Sequence, residues 1–279
     1  MLWGKRPERF STVNPVTNTT CVVQPEAAER SLKLLSFNIQ VGIRTSAFRE
    51  YVTNGWKHLL PHENRHHNLR RVAEVVSDYD VVALQEVDSG SLRSDYVNQV
   101  EFLARQAEFP FWYAQTNRAL GPLAQHGNGL LTRLQPSGLE DHKLPGAIPG
   151  RGAMIVRIPY AGDELVVVML HLSLGERSRR RQLSYIAEQI QHERQVVVMG
   201  DMNMPLHTLL DSSPLAAMGL QTATAPQATY PAWQPTVALD HVLVSDNLQV
   251  QDFKVLGAQI SDHLPVAVEV AARTRPSLQ

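Results

Sequence analysis

Cysteine is nearly absent. Cys21 is the single one in 279 residues, which excludes a disulfide framework and a cysteine-rich zinc centre. Excess charge is absent too. A formal net charge of −1 excludes strong attraction of the whole molecule to nucleic acid or an anionic membrane, although not a local basic patch. Long apolar runs are missing, and no stretch reaches the roughly 18 residues needed to span a bilayer. The N-terminal residues Met1 to Pro7 are not followed by an apolar run, so no secretory leader is expected. A reducing cytoplasm is the default, and a monomer is expected. No solenoid-type repeat is present.

What the chain does have is a series of apolar runs that end abruptly in polar residues. The sharpest is Val196-Val197-Val198-Met199, followed by Gly200-Asp201-Met202-Asn203. Such a run is buried on both faces of a sheet, so its last residues open onto whatever the sheet supports. Taken alone, Gly-Asp-x-Asn is equally well a turn in which Asp and Asn bond their own backbone. Further strands are expected at 32–39, 80–86, 112–114, 129–132, 152–158, 164–170, 240–244, 250–256 and 265–270. Helical spacing is read over 68–77, 96–107 and 177–192, the last with Leu183, Ile186, Ala187 and Ile190 on one face. Residues 1–30 lack periodicity and are expected to form a loosely structured arm before one domain over 31–273. The connection from Val41 to Asn68 carries His58, His62, His66 and His67. Pro61 between the first two argues against a zinc helix, so a solvated or substrate-facing loop is expected. One α+β domain with sheets packed face to face and helices outside fits this pattern.

The ends of the strands concentrate one chemistry. Asn38, Glu86, His171, Asp201 with Asn203, Asp240, and Asp262 with His263 each close or border an apolar run. Carboxylate and amide oxygens suit Mg²⁺ or Mn²⁺, which needs only one or two carboxylates plus a substrate phosphate. Such a cation neutralises phosphoryl oxygens while a nearby carboxylate or histidine handles the proton of water.

The motifs Ser36-Phe37-Asn38, Gln85-Glu86, Gly127-Asn128-Gly129-Leu130-Leu131-Thr132-Arg133, His171-Leu172, Gly200-Asp201-Met202-Asn203, Leu239-Asp240-His241 and Ser261-Asp262-His263-Leu264-Pro265 occur in order. Together they resemble the endonuclease/exonuclease/phosphatase superfamily, whose fold is a four-layer α/β sandwich around two packed mixed β-sheets. The resemblance implies a metal-dependent hydrolase acting on phosphoester bonds. Glu86 matches the principal metal carboxylate and Asn38 an amide beside the same ion. Asp262 matches a metal-binding or histidine-orienting residue, and Asp240 is expected to support the site as a further metal carboxylate. The resemblance gives the general-base role to either Asp201 or His263, so both remain open. Asn203 and His171 match phosphate-contacting positions. Asn128, His126 and Arg151 are expected on the substrate side, and Arg179 with Gln182 matches a largely structural pair.

Histidine rather than tyrosine at 171 disfavours the abasic-site repair branch. A nuclease acting on DNA is the expected activity, with nucleic acid as partner. The alternative is a phosphodiesterase or phosphatase acting on a phospholipid or inositol-phosphate headgroup, and an inactive binding protein is a third reading. Arg118, Tyr51, Trp56, Tyr230 and Trp233 lie in the loops that would meet either substrate.

Overall fold

Apolar runs that show no alternation require cover on both faces, and the fold supplies it. A computed structural model describes residues 8–10, 14–15, 30–42, 64–119, 121–146 and 150–273. The strands are β1 (Glu8–Phe10), β2 (Asn14–Pro15), β3 (Leu32–Asn38), β4 (Val81–Asp88), β5 (Phe111–Ala119), β6 (Gln125–Thr132) and β7 (Gly138–Lys143). They continue as β8 (Gly152–Tyr160), β9 (Asp163–His171), β10 (Gln195–Asp201), β11 (Gln221–Thr222), β12 (Asp240–Val244), β13 (Leu248–Val255) and β14 (Val266–Ala272). The helices are α1 (Asn64–Val76), α2 (Gln99–Gln106), α3 (Glu176–Ile190), α4 (Leu206–Ser212) and α5 (Pro214–Ala217).

One sheet runs β13-β14-β3-β4-β6-β5-β2 and the other β1-β7-β8-β9-β10-β12-β11. Both are mixed: β3 pairs parallel with β4, and β9 with β10, while their other pairings are antiparallel. Leu34, Val81, Ala83 and Leu130 of the first sheet meet Met154, Val156, Val167 and Val197 of the second in a core between them. The outer face of the first sheet, with Leu35, Phe37, Val82 and Leu84, is covered by Leu69, Val72 and Val76 of α1 and by Val100 and Leu103 of α2. The outer face of the second, with Val166, Val168, Val196 and Val198, is covered by Leu183, Ile186 and Ile190 of α3 and by Leu209 and Leu215. The result is the four-layer α/β sandwich. No helix among the described residues is long and apolar enough to cross a membrane.

Several boundaries differ from the sequence reading for identifiable reasons. α1 begins four residues before Asn68, because Arg65 in its first turn is buried, at 3% exposure, and an apolar period cannot reveal that. His66 and His67 therefore lie on a helix rather than in a loop, while His58 and His62 fall outside the described residues. α2 begins at Gln99, not near Tyr96. Asp95 and Tyr96 take left-handed backbone angles, and Asn98 caps the helix by accepting from Val100 N and Glu101 N. The stretch 1–30 contributes two short edge strands, β1 on β7 and β2 on β5. β7 itself, Gly-Leu-Glu-Asp-His-Lys, is too polar to read as a strand.

Candidate active site

The strand register brings the singled-out residues into two rows. Across the second sheet Asp201 of β10 pairs with His171 of β9 on one side and Asp240 of β12 on the other. Across the first sheet Asn38 pairs with Gln85, Gln85 with Asn128, and Asn128 with Gln115. The rows meet where Asn38 Nδ2 donates to Asp201 Oδ2 at 3.1 Å. Asn38 Oδ1 already accepts from Gln40 N at 3.1 Å, leaving one lone pair for a cation or its water.

Local backbone devices aim the side chains. The β4–β6 register shifts between Gln85 and Val87, and Glu86 in that bulge has φ +55. A bulge of this kind re-aims a side chain out of the sheet alternation. Gly200 has φ +151, and a Cβ there would lie 1.9 Å from Leu170 O. Only glycine lets β10 approach β9 so closely just before Asp201. Asn203 has φ +50; its N–H donates to Asp201 Oδ1 at 3.0 Å and its Nδ2 to Leu172 O at 3.0 Å. Gly-Asp-x-Asn is thus an Asx-type turn and a site element at once.

Asp201, 2% exposed, lies at the centre. His171 Nε2 is 3.5 Å and His263 Nε2 3.9 Å from its Oδ2, and His171 Nε2 is 3.9 Å from Glu86 Oε1. His263 Nδ1 is 2.8 Å from Asp240 Oδ2, which also accepts from Thr229 Oγ1 at 2.6 Å. The Tyr230 ring packs on His263 with centroids 4.9 Å apart. Arg151 Nη1 lies 2.7 Å from Nδ1 of His171 and contacts Nε2 as well. Asp262 accepts from Ser261 Oγ at 3.1 Å.

Burial and mutual proximity set the charges. Burial pushes Asp201 up to about 7; His263 opposes this, while Asp240 and Glu86 add to it. Burial also pushes Asp262 up to about 6, opposed by His263 and reinforced by Glu86. Burial works against a charge on His263, but Asp240 and Asp201 outweigh it and hold the imidazole well above its ordinary range. His171 is lowered well below that range by burial, then by Arg151. Burial and then Arg93 bring His126 down to about 4. Buried carboxylates raised in this way, with Glu86 beside them, make a hard, oxygen-lined site that a divalent cation fits. Asp201, Asp240 and His263 each offer a ligand atom within 4.8 Å of the others. Asp240, expected as a metal carboxylate, has Oδ2 engaged by His263 and Thr229, so Glu86 and Asp262 are the oxygen donors left that could hold a cation.

The expected substrate-side residues divide. Arg151 lies with His171 in the site. His126, paired with Asp88 and Arg118 across the strands, sits beyond Glu86, with its ring against Arg93 Nη1 at 3.1 Å. Asn128 is 2% exposed, and its Nδ2 donates to Gln115 Oε1 and Gly152 O. Gln182 bonds Ser173 through both amide atoms and Arg179 Nη1 donates to Ser173 O, which fixes the loop after His171. Thr229, Arg93 and Gln115 were missed in the sequence, whereas Tyr230 was expected on the substrate side as an aromatic in a variable loop.

The model of the endonuclease/exonuclease/phosphatase family matches residues 35–263. The chain belongs to this family of phosphoesterases. No curated protein matches the sequence. Among solved structures it is similar to an endonuclease/exonuclease/phosphatase from Beutenbergia cavernae DSM 12333. That likeness has TM-score 0.69 at 20% identity, covering 89% of this chain and 73% of that one. It is similar to the Bacteroides thetaiotaomicron VPI-5482 mannosyl-6-phosphatase, with TM-score 0.66 at 15% identity, covering 86% and 100%. It is also similar to D. rerio TDP2 complexed with single-strand DNA product, with TM-score 0.63 at 15% identity, covering 87% and 99%. At these identities the likenesses establish the fold.

Proposed function

We propose that the chain is a divalent-cation-dependent hydrolase of phosphodiesters, with nucleic acid as its substrate. The observation that carries the reading is the buried Asp201, raised to about 7 and set between His171 and a His263–Asp240 pair. A carboxylate titrating near neutrality is matched to accept a proton from attacking water at physiological pH. His263, kept protonated by Asp240, supplies positive charge and a donor N–H to a phosphoryl oxygen, and Arg151 supplies a second. This assigns the base role to Asp201 and the charge-stabilising role to His263. Asn203 orients Asp201 through its backbone N–H. Glu86 and Asp262, with Asn38 beside them, would hold Mg²⁺ or Mn²⁺, which when bound supplies Lewis-acid stabilisation of the phosphoryl charge.

The similarity to a DNA-bound TDP2 supports nucleic acid; the similarity to a sugar phosphatase keeps phosphomonoesters in the test. The experiment is a substrate panel with Mg²⁺ or Mn²⁺: plasmid, single-stranded DNA, RNA, phospholipid vesicles, inositol phosphates and sugar phosphates. Plasmid or single-strand cleavage with a steep salt dependence is expected. Turnover confined to vesicles, inositol phosphates or sugar phosphates overturns the nucleic-acid assignment. Glu86→Ala and Asp201→Asn should each lower kcat by about 10²–10⁴-fold with the fold retained. Undiminished hydrolysis in both would overturn the site itself.

A further inference from the structure

Arg151 is held from behind by side chains of the opposite sheet. Gln115 on β5 is 1% exposed, and its Nε2 donates to Ala153 O at 2.9 Å and also to Asp141 Oδ1. Its Oε1 accepts from Asn128 Nδ2 at 2.9 Å, and that same nitrogen donates to Gly152 O at 3.2 Å. Both carbonyls that follow Arg151 are therefore gripped by amides of the first sheet, while Arg151's own carbonyl accepts from Leu144 N at 3.1 Å. The segment lies too close to β5 for side chains on either flank of Arg151. A Cβ at Gly152 would fall 2.5 Å from Gln115 Oε1 and 2.1 Å from Asn117 Oδ1. One at Gly150, where φ is +113, would fall 3.2 Å from the Arg118 side chain. Gly150-Arg151-Gly152 is thus pressed against β5, with the arginine between two glycines and its guanidinium on His171.

We propose that Gln115 is a positioning residue for Arg151: its amide bridge between the sheets fixes the backbone from which the guanidinium reaches His171 and the scissile phosphoryl group. This rests on the reading of Arg151 as a phosphoryl-charge donor. The bridge is fully buried and three of its hydrogen bonds end on the two residues after Arg151 or on Asn128, which binds the same segment. A displacement of about 1 Å in a charge-stabilising group lowers rate by about 10²-fold. The consequence therefore belongs in kcat, and it exists only while Arg151 is present.

The test is a double-mutant cycle with Gln115→Met, Arg151→Met and the double variant, on a chromogenic bis-aryl phosphodiester with saturating Mg²⁺ or Mn²⁺. Assays run well below each variant's unfolding temperature, with near-ultraviolet circular dichroism verifying native packing. Arg151→Met should lower kcat by about 10²–10³-fold. Gln115→Met should lower it by about 10–10²-fold with a smaller change in KM, and the double variant should match Arg151→Met within about twofold. A bridge that only supports the fold would lower stability and let the two losses multiply. Multiplying losses, or wild-type kcat in Gln115→Met, overturn the proposal while leaving Arg151's role standing. Wild-type kinetics in Arg151→Met overturn that role and the proposal with it. If Gln115→Met does not fold, Gly152→Ala takes its place in the cycle, because it displaces the bridge without deleting a polar group.

Discussion

Arg93 exposes none of its surface, yet no apolar pattern or motif marks it. Its Nε bonds Asp88 Oδ2, its Nη1 faces His126, and its Nη2 has no partner among the described residues. Asp88, buried as well, also accepts from Ser91 Oγ at 2.7 Å, Ser94 Oγ at 3.0 Å, Gly90 N at 2.9 Å and Gln125 N at 3.2 Å. Burial raises Asp88, but Ser91 and Arg93 outweigh it and leave the carboxyl below its ordinary value. This knot ties the loop after Glu86 to β6. Removing one partner of a buried pair strands the other charge, at about 3–5 kcal/mol. Arg93→Met should therefore lower the unfolding free energy in urea by that amount at pH 7. A loss under about 1 kcal/mol would mean that the four neutral donors suffice for Asp88. Because the native carboxyl is depressed, its contribution is present above its unfolded value and is lost as pH falls through the native one. The difference between wild type and variant should shrink accordingly below about pH 4.

At the scale of elements, glycines decide how closely strands approach the site. Gly127 and Gly129 flank Asn128, and a Cβ at either would lie 1.7 Å from Gln115 O or 2.6 Å from Val100 Cγ2. Gly200 meets Leu170 O in the same way. Gly200→Ala should cost about 1–3 kcal/mol from the backbone angle alone. It must also push β10 from β9, moving Asp201 relative to His171, so kcat should fall together with stability. Gly219→Ala is the control: its φ is +73 with nothing within 4 Å, so only the backbone cost remains and kcat should be unchanged. Equal effects of the two variants on kcat would show that the β9–β10 approach is unimportant. These contrasts also mark what was legible in the sequence. Strands buried on both faces, β3, β4, β9 and β10, announced themselves, and so did the polar residues at their ends. β7, the extension of β5 through Thr116 to Ala119, and the first turn of α1 did not, because their buried or paired residues are polar: His142, Gln115 and Arg65. Motif order supplied the catalytic candidates but not the division of labour. That Asp240 serves His263, and that Asn128 faces Gln115, follows from register between distant strands, which no local pattern encodes.

For the whole molecule, the site is a place where stability is given up. Asp201 is ionised above about pH 7 in the native state and near 3.8 in a free chain. Between those values the native protein binds the extra proton, so wild-type stability falls as pH rises through the window and the full penalty stands above it. Each tenfold change in proton affinity is about 1.4 kcal/mol, so removing the charge returns on the order of a few kcal/mol. Against this, Asp201→Asn sets an amide nitrogen against Asn38 Nδ2, and the lost bond takes back about 1 kcal/mol. The relief outweighs that loss. Metal-free Asp201→Asn should therefore be more stable than wild type at pH 8, with the advantage fading toward pH 4. A divalent cation offsets the same crowding of carboxylates, so adding Mg²⁺ or Mn²⁺ should raise the wild-type unfolding midpoint more than the variant's and narrow the gap. Urea titrations at pH 8 and pH 5, with cation and with chelator, measure all four conditions. An Asp201→Asn protein less stable than wild type at pH 8 without cation would mean that His263 already neutralises Asp201, and that the carboxylates of the site are paired rather than held in mutual repulsion.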